Sequence, residues 1–172
     1  MEKKRKIIEN VTHEEKEKIL QNFVPFLTQG KFVNIGTCNL ERMPNVAPKP
    51  VLHIKDDTIF LIDYVMGRTY TNLSKNPRAS LSFMDESTLT GYQLSGPVTI
   101  LENGEEFREL SEEFQKIKTD LLVERILLNV RAGRKSTAPQ QTLPERFAVL
   151  KFKVLEIVEI ASSGVLRSKL SI

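Results

Sequence analysis

The stretch that decides the fold is Gly67-Arg68-Thr69-Tyr70-Thr71-Asn72-Leu73-Ser74-Lys75-Asn76-Pro77-Arg78. An unbroken apolar run at residues 59–62 precedes it and predicts a buried strand. Residues 79–83 follow it and alternate apolar with polar, which predicts a second strand. We therefore expect the stretch to join two strands through a short helix at residues 69–76.

A cation and a hydroxyl stand where this helix begins. Thr69 is a candidate N-cap, since a threonine hydroxyl accepts from the free N–H groups of a helix start. In one interpretation those N–H groups, the Arg68 guanidinium and the Thr69 hydroxyl converge on one phosphate. In the other, the segment is an ordinary capped turn with a solvated arginine. The local sequence leaves both interpretations open.

Strand patterns dominate on both sides of the helix. The predicted strands are Phe32–Cys38, Asn45–Ile54, Thr58–Ile62, residues 78–84, Thr90–Glu102 and Phe147–Ile160, the last with a bulge at Glu156. Pro48 and Pro50 limit the second strand to an edge or to a bulged, ligand-facing position. Strands that mostly follow one another predict a mainly β fold with α insertions, a six-stranded antiparallel split β-barrel, rather than a βαβ sheet.

The chain length of 172 residues predicts a single domain. We expect a flexible arm at residues 1–11, an N-terminal helix at 12–29, a helical insertion at 105–131 and a tail at 161–172. The insertion carries an apolar stripe that is too short for a coiled coil. That stripe predicts packing on the barrel or on a partner subunit.

Composition narrows the classes of partner. The net charge of +3 comes from 25 basic and 22 acidic residues that are interspersed along the chain, which predicts no nucleic-acid partner. No apolar run approaches the ~18 residues that cross a membrane, so we expect no membrane partner. Cys38 is the only cysteine, and it excludes an internal disulfide. A reducing, cytoplasmic location fits that composition.

Side chains with catalytic or metal-binding spacing are scarce. His13 and His53 lie far apart, and Cys38 has no neighbour at metal-ligand spacing, so the sequence predicts no metal site. The common nucleophile, zinc-protease and phosphate-loop motifs do not occur. Any catalysis would therefore depend on a cofactor, and the catalytic residues stay unassigned.

The order of several short motifs is more specific than any one of them. These are Gly36-Thr37-Cys38, Pro44-Asn45-Val46-Ala47-Pro48, Asp57-Thr58-Ile59-Phe60-Leu61-Ile62, Arg68-Thr69 with Asn72-Leu73 and Asn76-Pro77-Arg78, and Gly91-Tyr92-Gln93-Leu94-Ser95-Gly96. The ordered set resembles the FMN-binding split-barrel family, which is related to the pyridoxamine 5′-phosphate oxidases, and in particular its small FMN-binding proteins. The resemblance covers residues 31–104 well and residues 147–160 loosely.

The resemblance implies FMN bound along the second and third strands at a homodimer interface. It implies that Arg68 and Thr69 meet the phosphate and that Lys49 reaches the phosphate or the isoalloxazine ring. The backbone of residues 46–50 would face the flavin. The implied cofactor-binding residues are Val46, Ala47, Pro48, Lys49, Pro50, Ile62, Asp63, Tyr64, Met66, Gly67, Arg68, Thr69 and Asn72.

The resemblance implies an FMN-dependent oxidoreductase or electron-transfer protein with a small-molecule or protein electron donor or acceptor. It does not extend to the substrate-binding carboxyl-terminal pattern of true pyridoxamine phosphate oxidases, since this chain has Ser162-Ser163-Gly164-Val165-Leu166-Arg167-Ser168-Lys169-Leu170 there. One alternative is a non-catalytic FMN or haem sensor or storage module, with His53 as the candidate iron ligand. Another is a reductase that uses a deazaflavin as a dissociable cosubstrate.

Overall fold

The computed structural model describes residues 32–85, 90–116, 146–160 and 166–170. The predicted arm, the N-terminal helix and the insertion beyond residue 116 lie outside these ranges. Helix α1 is Arg68–Lys75, and residues 105–116 form helix α2. The strands are β1 (Phe32–Cys38), β2 (Pro44–Lys55), β3 (Thr58–Asp63), β4 (Arg78–Asp85), β5 (Thr90–Leu101), β6 (Ala148–Lys153), β7 (Glu156–Ile160) and β8 (Leu166–Leu170).

Six of these strands close into an antiparallel barrel. The hydrogen-bonded order is β4-β1-β2-β3-β6-β5, and β5 pairs back to β4 to complete the ring. Strand β7 pairs with β5 outside that ring, and β8 pairs with β7. The predicted six-stranded barrel is confirmed, and α1 fills the connection between β3 and β4 as expected.

The barrel is split along β2. Residues 44–50 pair only with β1, whereas residues 51–55 pair only with β3. The ladder to β3 shifts between Val51 and His53, so Leu52 is an extra, bulged residue. Pro48 and Pro50 lie on the half with a single partner, where a missing N–H leaves no ladder bond unmade. The predicted edge position is confirmed.

The core has two layers. The first fills the barrel, with Ile35, Leu61, Leu81, Leu94 and Phe152 among its fully buried side chains. The second lies between the barrel wall and α2, where Leu110 and Phe114 of the helix pack on side chains of β2, β3 and β6. The apolar stripe of the insertion therefore packs on the barrel, as one of the two expected arrangements, over the part of α2 that the structure describes.

The predicted single strand Phe147–Ile160 is wrong, because the chain turns a corner within it. The Val154 N–H donates to the Asp57 carbonyl at 2.8 Å, and the Leu155 N–H donates to the Ser95 carbonyl at 3.0 Å. These long-range bonds interrupt the strand at Val154 and Leu155. On one side of the break β6 pairs with residues 98–101 of β5 in the barrel, and on the other side β7 pairs with residues 91–95 of β5. The segment 161–172, expected to be a tail, also contains β8.

Candidate functional site

The turn from β3 to α1 is built on the carboxylate of Asp63. Its Oδ1 atom accepts hydrogen bonds from the Val65 N–H at 3.2 Å and the Met66 N–H at 2.9 Å. Met66 has a φ of 48°, in the left-handed region that side-chain-bearing residues rarely adopt. Because both N–H groups bond to one oxygen, the carboxylate holds this turn in an otherwise unfavourable conformation.

The N-cap residue of helix α1 is Gly67, which has no side chain with which to cap the helix. The predicted N-cap role of Thr69 is wrong: this residue is the second of the helix, and only 3% of its surface is exposed. No described side chain accepts from the first N–H groups of α1. The helix start thus keeps N–H groups available to an anion, beside the exposed Arg68.

A buried polar network fixes the position of α1. The Asn72 side-chain amide donates to the Thr37 hydroxyl of β1 at 3.1 Å. The Asn45 amide of β2 donates to the Thr69 hydroxyl at 3.1 Å and reaches that of Thr37 at 3.4 Å. Four side chains from two strands and the helix are therefore joined, which holds the helix start in one place relative to β1 and β2.

One face of α1 borders a groove of about 420 Å³ opposite the β1–β2 turn. Arg68, Thr71, Asn72 and Lys75 line it at the i, i+3, i+4, i+7 spacing of one helix face. Asn45 and Glu41 lie on the other side. Two cations against one carboxylate give the groove a net positive charge.

A second cavity of about 430 Å³ lies on the other side of the β3–α1 turn. Tyr64, Val65, Met66, Tyr70 and Arg146 line it. The Tyr70 hydroxyl donates to Glu102 Oε2 at 2.8 Å, and Arg146 Nη2 lies 3.7 Å from Glu102 Oε1. The hydrogen bond to Glu102, followed by burial and by the negative charge of Glu102, raises the pKa of Tyr70.

The structure gathers most of the predicted site residues around the β3–α1 turn. Gly67, Arg68, Thr69 and Asn72 form the helix start, and Asp63, Tyr64 and Met66 form the turn before it. Val46 and Pro48 are exposed on the free edge of β2, with Ala47 and Pro50 partly buried beside them.

Two predicted site residues, Lys49 and Ile62, contact other groups than those the resemblance implies. The Lys49 ammonium is buried and lies 2.7 Å from Asp63 Oδ1, so its charge is already paired. Ile62 packs in the core layer beneath α2, away from the groove.

His53, the candidate iron ligand, lies on the α2 side of the sheet. Its Nδ1 is 3.2 Å from Glu113 Oε1, and its ring contacts Phe60 of the outer core layer. The bulge at Leu52 turns it to that face. Its position is therefore separate from the β3–α1 turn.

Sequence reasoning missed Thr37 and Asn45 as structural partners of the helix start. Thr37 carried a signal, since it continues the buried alternation of Val33 and Ile35 and so points a hydroxyl inward. Within the described residues, no three His, Cys, Asp or Glu side chains could hold a metal ion. No helix in those residues has the length and apolar character to span a membrane.

This chain is similar to known proteins both in its sequence family and in its fold. The family model described as pyridoxamine 5′-phosphate oxidase matches residues 19–161. HupZ of Group A Streptococcus shares 19% identity with a TM-score of 0.57, covering 89% of this chain and 96% of that one. No curated protein sequence matches this chain.

Two further solved structures have the same fold at low identity. A Clostridium acetobutylicum protein related to general stress protein 26 of B. subtilis, of the pyridoxinephosphate oxidase family, shares 20% identity with a TM-score of 0.58, covering 85% of this chain and 90% of that one. A pyridoxamine 5′-phosphate oxidase-related, FMN binding protein from Nostoc punctiforme shares 11% identity with a TM-score of 0.55, covering 91% and 89%.

Proposed function

The chain belongs to the pyridoxamine 5′-phosphate oxidase family, and from that premise we propose that it binds FMN and acts as an oxidoreductase or electron-transfer flavoprotein. The observation that carries the proposal is the start of α1, where uncapped N–H groups stand beside the Arg68 guanidinium. A phosphate monoester dianion matches such a site in both charge and hydrogen bonding. One structural relative is described as FMN binding, which supports the same choice of ligand.

The residues present fit the phosphate. The groove along α1 has two cations, and the buried Thr37–Asn72 network keeps the helix from shifting when an anion binds. Arg68 offers a bidentate fork to two phosphate oxygens, and the helix N–H groups supply further donors. Thr69 contributes through its bond to Asn45, which fixes the first turn.

The flavin ring would extend from this phosphate site towards the split side of β2 and the β3–α1 turn. Tyr64 and Met66 of the turn line the cavity of about 430 Å³ beside it, and Ala47 and Pro50 of β2 would border the ring on the other side. When bound, FMN supplies electron or hydride transfer. The protein side chains would orient the ring and exclude water from one of its faces.

We also assign the exposed free edge of β2 to a homodimer contact. Val46 and Met43 are large apolar side chains with 68% and 64% of their surface exposed, and Pro48 lies beside Val46. A second copy that covered this edge would remove apolar surface from water and close the open side of the FMN space. Sedimentation of the FMN-loaded protein at micromolar concentration is expected to give a dimer, and Val46→Glu to weaken it. A stable wild-type monomer would refute the assignment.

Titration of the apoprotein with FMN and with riboflavin tests the ligand. A charge-assisted phosphate contact of about 1.5–3 kcal/mol predicts that FMN binds roughly ten- to a hundred-fold more tightly. Arg68→Ala should remove most of that preference and leave riboflavin binding nearly unchanged. Arg108→Ala, which removes an exposed arginine from α2, is the matched control. Equal affinities in the wild type, or no loss in Arg68→Ala, would overturn the proposal.

The ligand that copurifies with the protein distinguishes FMN from the alternatives. Its absorbance spectrum and mass after release separate FMN, a deazaflavin and haem. FMN is expected, because its ribityl chain ends in a single phosphate, which matches the proposed site at the helix start.

A further inference from the structure

The side chains of Lys49 and Asp63 form a buried ion pair at the point where the barrel splits. The Lys49 ammonium lies 2.7 Å from Asp63 Oδ1, and the two residues are 5% and 0% exposed. Backbone pairing between β2 and β3 includes Val51 opposite Leu61. If this antiparallel register continued for two more residues, Lys49 would lie opposite Asp63. The side-chain pair thus takes the place of the next rung, where no ladder bond joins the two strands.

The carboxylate of Asp63 also supports the turn that follows. The same Oδ1 atom that meets Lys49 accepts the Val65 and Met66 N–H groups, while Oδ2 is buried and has no hydrogen-bond partner in the described part of the chain. An apolar pair at these two positions would avoid the desolvation of two charges. Such an apolar pair would leave the Val65 and Met66 N–H groups without the acceptor that the Asp63 carboxylate provides.

The turn leads directly into the phosphate site. Met66, held at its left-handed φ, immediately precedes Gly67, the N-cap residue of α1. The polar network bonds the helix through Thr69 and Asn72. A shift of the turn would therefore re-aim the N–H groups that precede Thr69 relative to the groove. Those donors bind an anion well only when they are aimed at its oxygens.

We propose that Asp63 is a positioning residue for phosphate recognition and that Lys49 is its counterion rather than a direct phosphate ligand. This rests on the proposed FMN function. Asp63 sets the conformation of residues 64–67, and Lys49 balances the charge of the carboxylate and ties it to β2. The pair therefore governs discrimination between FMN and riboflavin more than it governs affinity for the ring, which both flavins share.

Paired substitutions avoid leaving one charge buried alone. Lys49→Met with Asp63→Ala removes the pair and the turn acceptor together. Lys49→Met with Asp63→Asn removes the charges and leaves an amide oxygen that can accept the same two N–H groups. Lys153→Met with Asp57→Ala is the matched control, because it removes an exposed Lys–Asp pair, 3.7 Å apart, near the opposite end of β3.

The readout is the ratio of riboflavin to FMN dissociation constants in each variant. We expect the Ala double variant to lose about tenfold in this ratio, with riboflavin affinity within about threefold of wild type. The Asn double variant should recover at least a threefold higher ratio than the Ala double variant. Equal losses for both flavins, or an unchanged ratio, would show that the pair has a structural role only. If the Ala double variant does not fold, Asp63→Glu, which keeps the charge and displaces the acceptor, is expected to lower the ratio.

Two reference measurements separate this inference from the proposed function. If the wild type and Arg68→Ala both bind the two flavins equally, the proposed FMN function fails, whatever Asp63 does. Amide hydrogen exchange at Val65 and Met66 without ligand then still decides the positioning claim. Faster exchange in the Ala than in the Asn double variant is expected, and equal exchange would overturn it.

Discussion

The side-chain amide of Asn72 on α1 donates a 3.1 Å hydrogen bond to the hydroxyl of Thr37 on β1, and both residues are buried. This bond joins a helix of eight residues to the barrel wall. A helix this short is not stable by itself in water, so its position depends on tertiary contacts.

Asn72→Ala is predicted to lower the free energy of unfolding by about 1–3 kcal/mol, because it leaves the buried Thr37 hydroxyl with one amide donor fewer. Denaturant unfolding measures this change. Thr71→Ala is the neighbouring control, since Thr71 is exposed and its hydroxyl only bonds back to the Gly67 carbonyl. Its effect should stay within about 0.5 kcal/mol. Equal effects of the two substitutions would contradict the role of the network.

Gly96→Ala is predicted to destabilise the protein by at least about 3 kcal/mol or to prevent folding. A methyl group at Gly96 would overlap the backbone carbonyl oxygen of Lys153, and a backbone atom cannot move aside as a side-chain tip can. In Gly36→Ala, the new methyl would lie 3.6 Å from the Ser80 carbonyl oxygen, an ordinary contact. Thermal unfolding of both variants compares them, and a mild Gly96→Ala would contradict the close approach of β5 to the β6–β7 corner.

Tyr70 is predicted to ionise above the ordinary tyrosine range, because its hydroxyl donates to Glu102. Glu102→Ala should lower the pKa of Tyr70 towards about 10. Arg146→Ala should raise it further, since the positive charge of Arg146 lowers it in the wild type. Ultraviolet titration of tyrosinate, with Tyr70→Phe to identify the signal, measures both shifts.

The sign of the associated stability change follows from that direction. In the unfolded chain Tyr70 ionises near pH 10, and in the folded chain at higher pH. The interaction therefore stabilises the fold fully below pH about 10 and is lost as the pH rises through the folded pKa. If Glu102→Ala and Arg146→Ala shifted the pKa of Tyr70 in the same direction, the contacts with Glu102 and Arg146 would not be the cause of its raised pKa.

Oxidation of pyridoxamine phosphate is predicted to be slow, below about 1% of a typical enzyme rate of about 10 per second. A second substrate needs its own phosphate clamp and a surface against the ring, and Arg68 would already bind the cofactor phosphate. Incubation of FMN-loaded protein with pyridoxamine phosphate under air, followed by assay of pyridoxal phosphate, tests this. A nicotinamide nucleotide or a protein donor is expected to reduce the FMN instead. Turnover near the typical rate would show that the carboxyl-terminal sequence is a poor guide to substrate.

Local patterns in the sequence were sufficient for most of the strands. The bounds of β1 were predicted to the residue, and α1 to within one residue, because alternation and turn residues act over short distances. The break between β6 and β7 could not be predicted in this way. It depends on bonds from Val154 and Leu155 to residues that lie far away in the chain.

In the candidate site too, features that depend on neighbouring residues could be predicted, and a contact between distant residues could not. The place of Arg68 before a helix made it a candidate phosphate cation, which the family resemblance then favoured, and the structure sets it at the uncapped helix start. The pairing of Lys49 with Asp63 was not predicted, although both residues stand in the inward phase of their strands, with Val51 and Leu61. Opposite charges in that phase on neighbouring strands are a signal for a buried ion pair. This signal can be recognised only when the β2–β3 register is known, and the bulge at Leu52 shifts that register by one residue.

The free edge of β2 has a consequence for aggregation. An unpaired strand edge usually offers N–H and C=O groups on which another chain can extend the sheet. Here three of the seven residues at 44–50 are proline, and proline has no N–H to give. An incoming strand would find too few donors along this edge for a continuous ladder. Fibril-like growth through β2 is therefore disfavoured, and another copy must dock there through side chains.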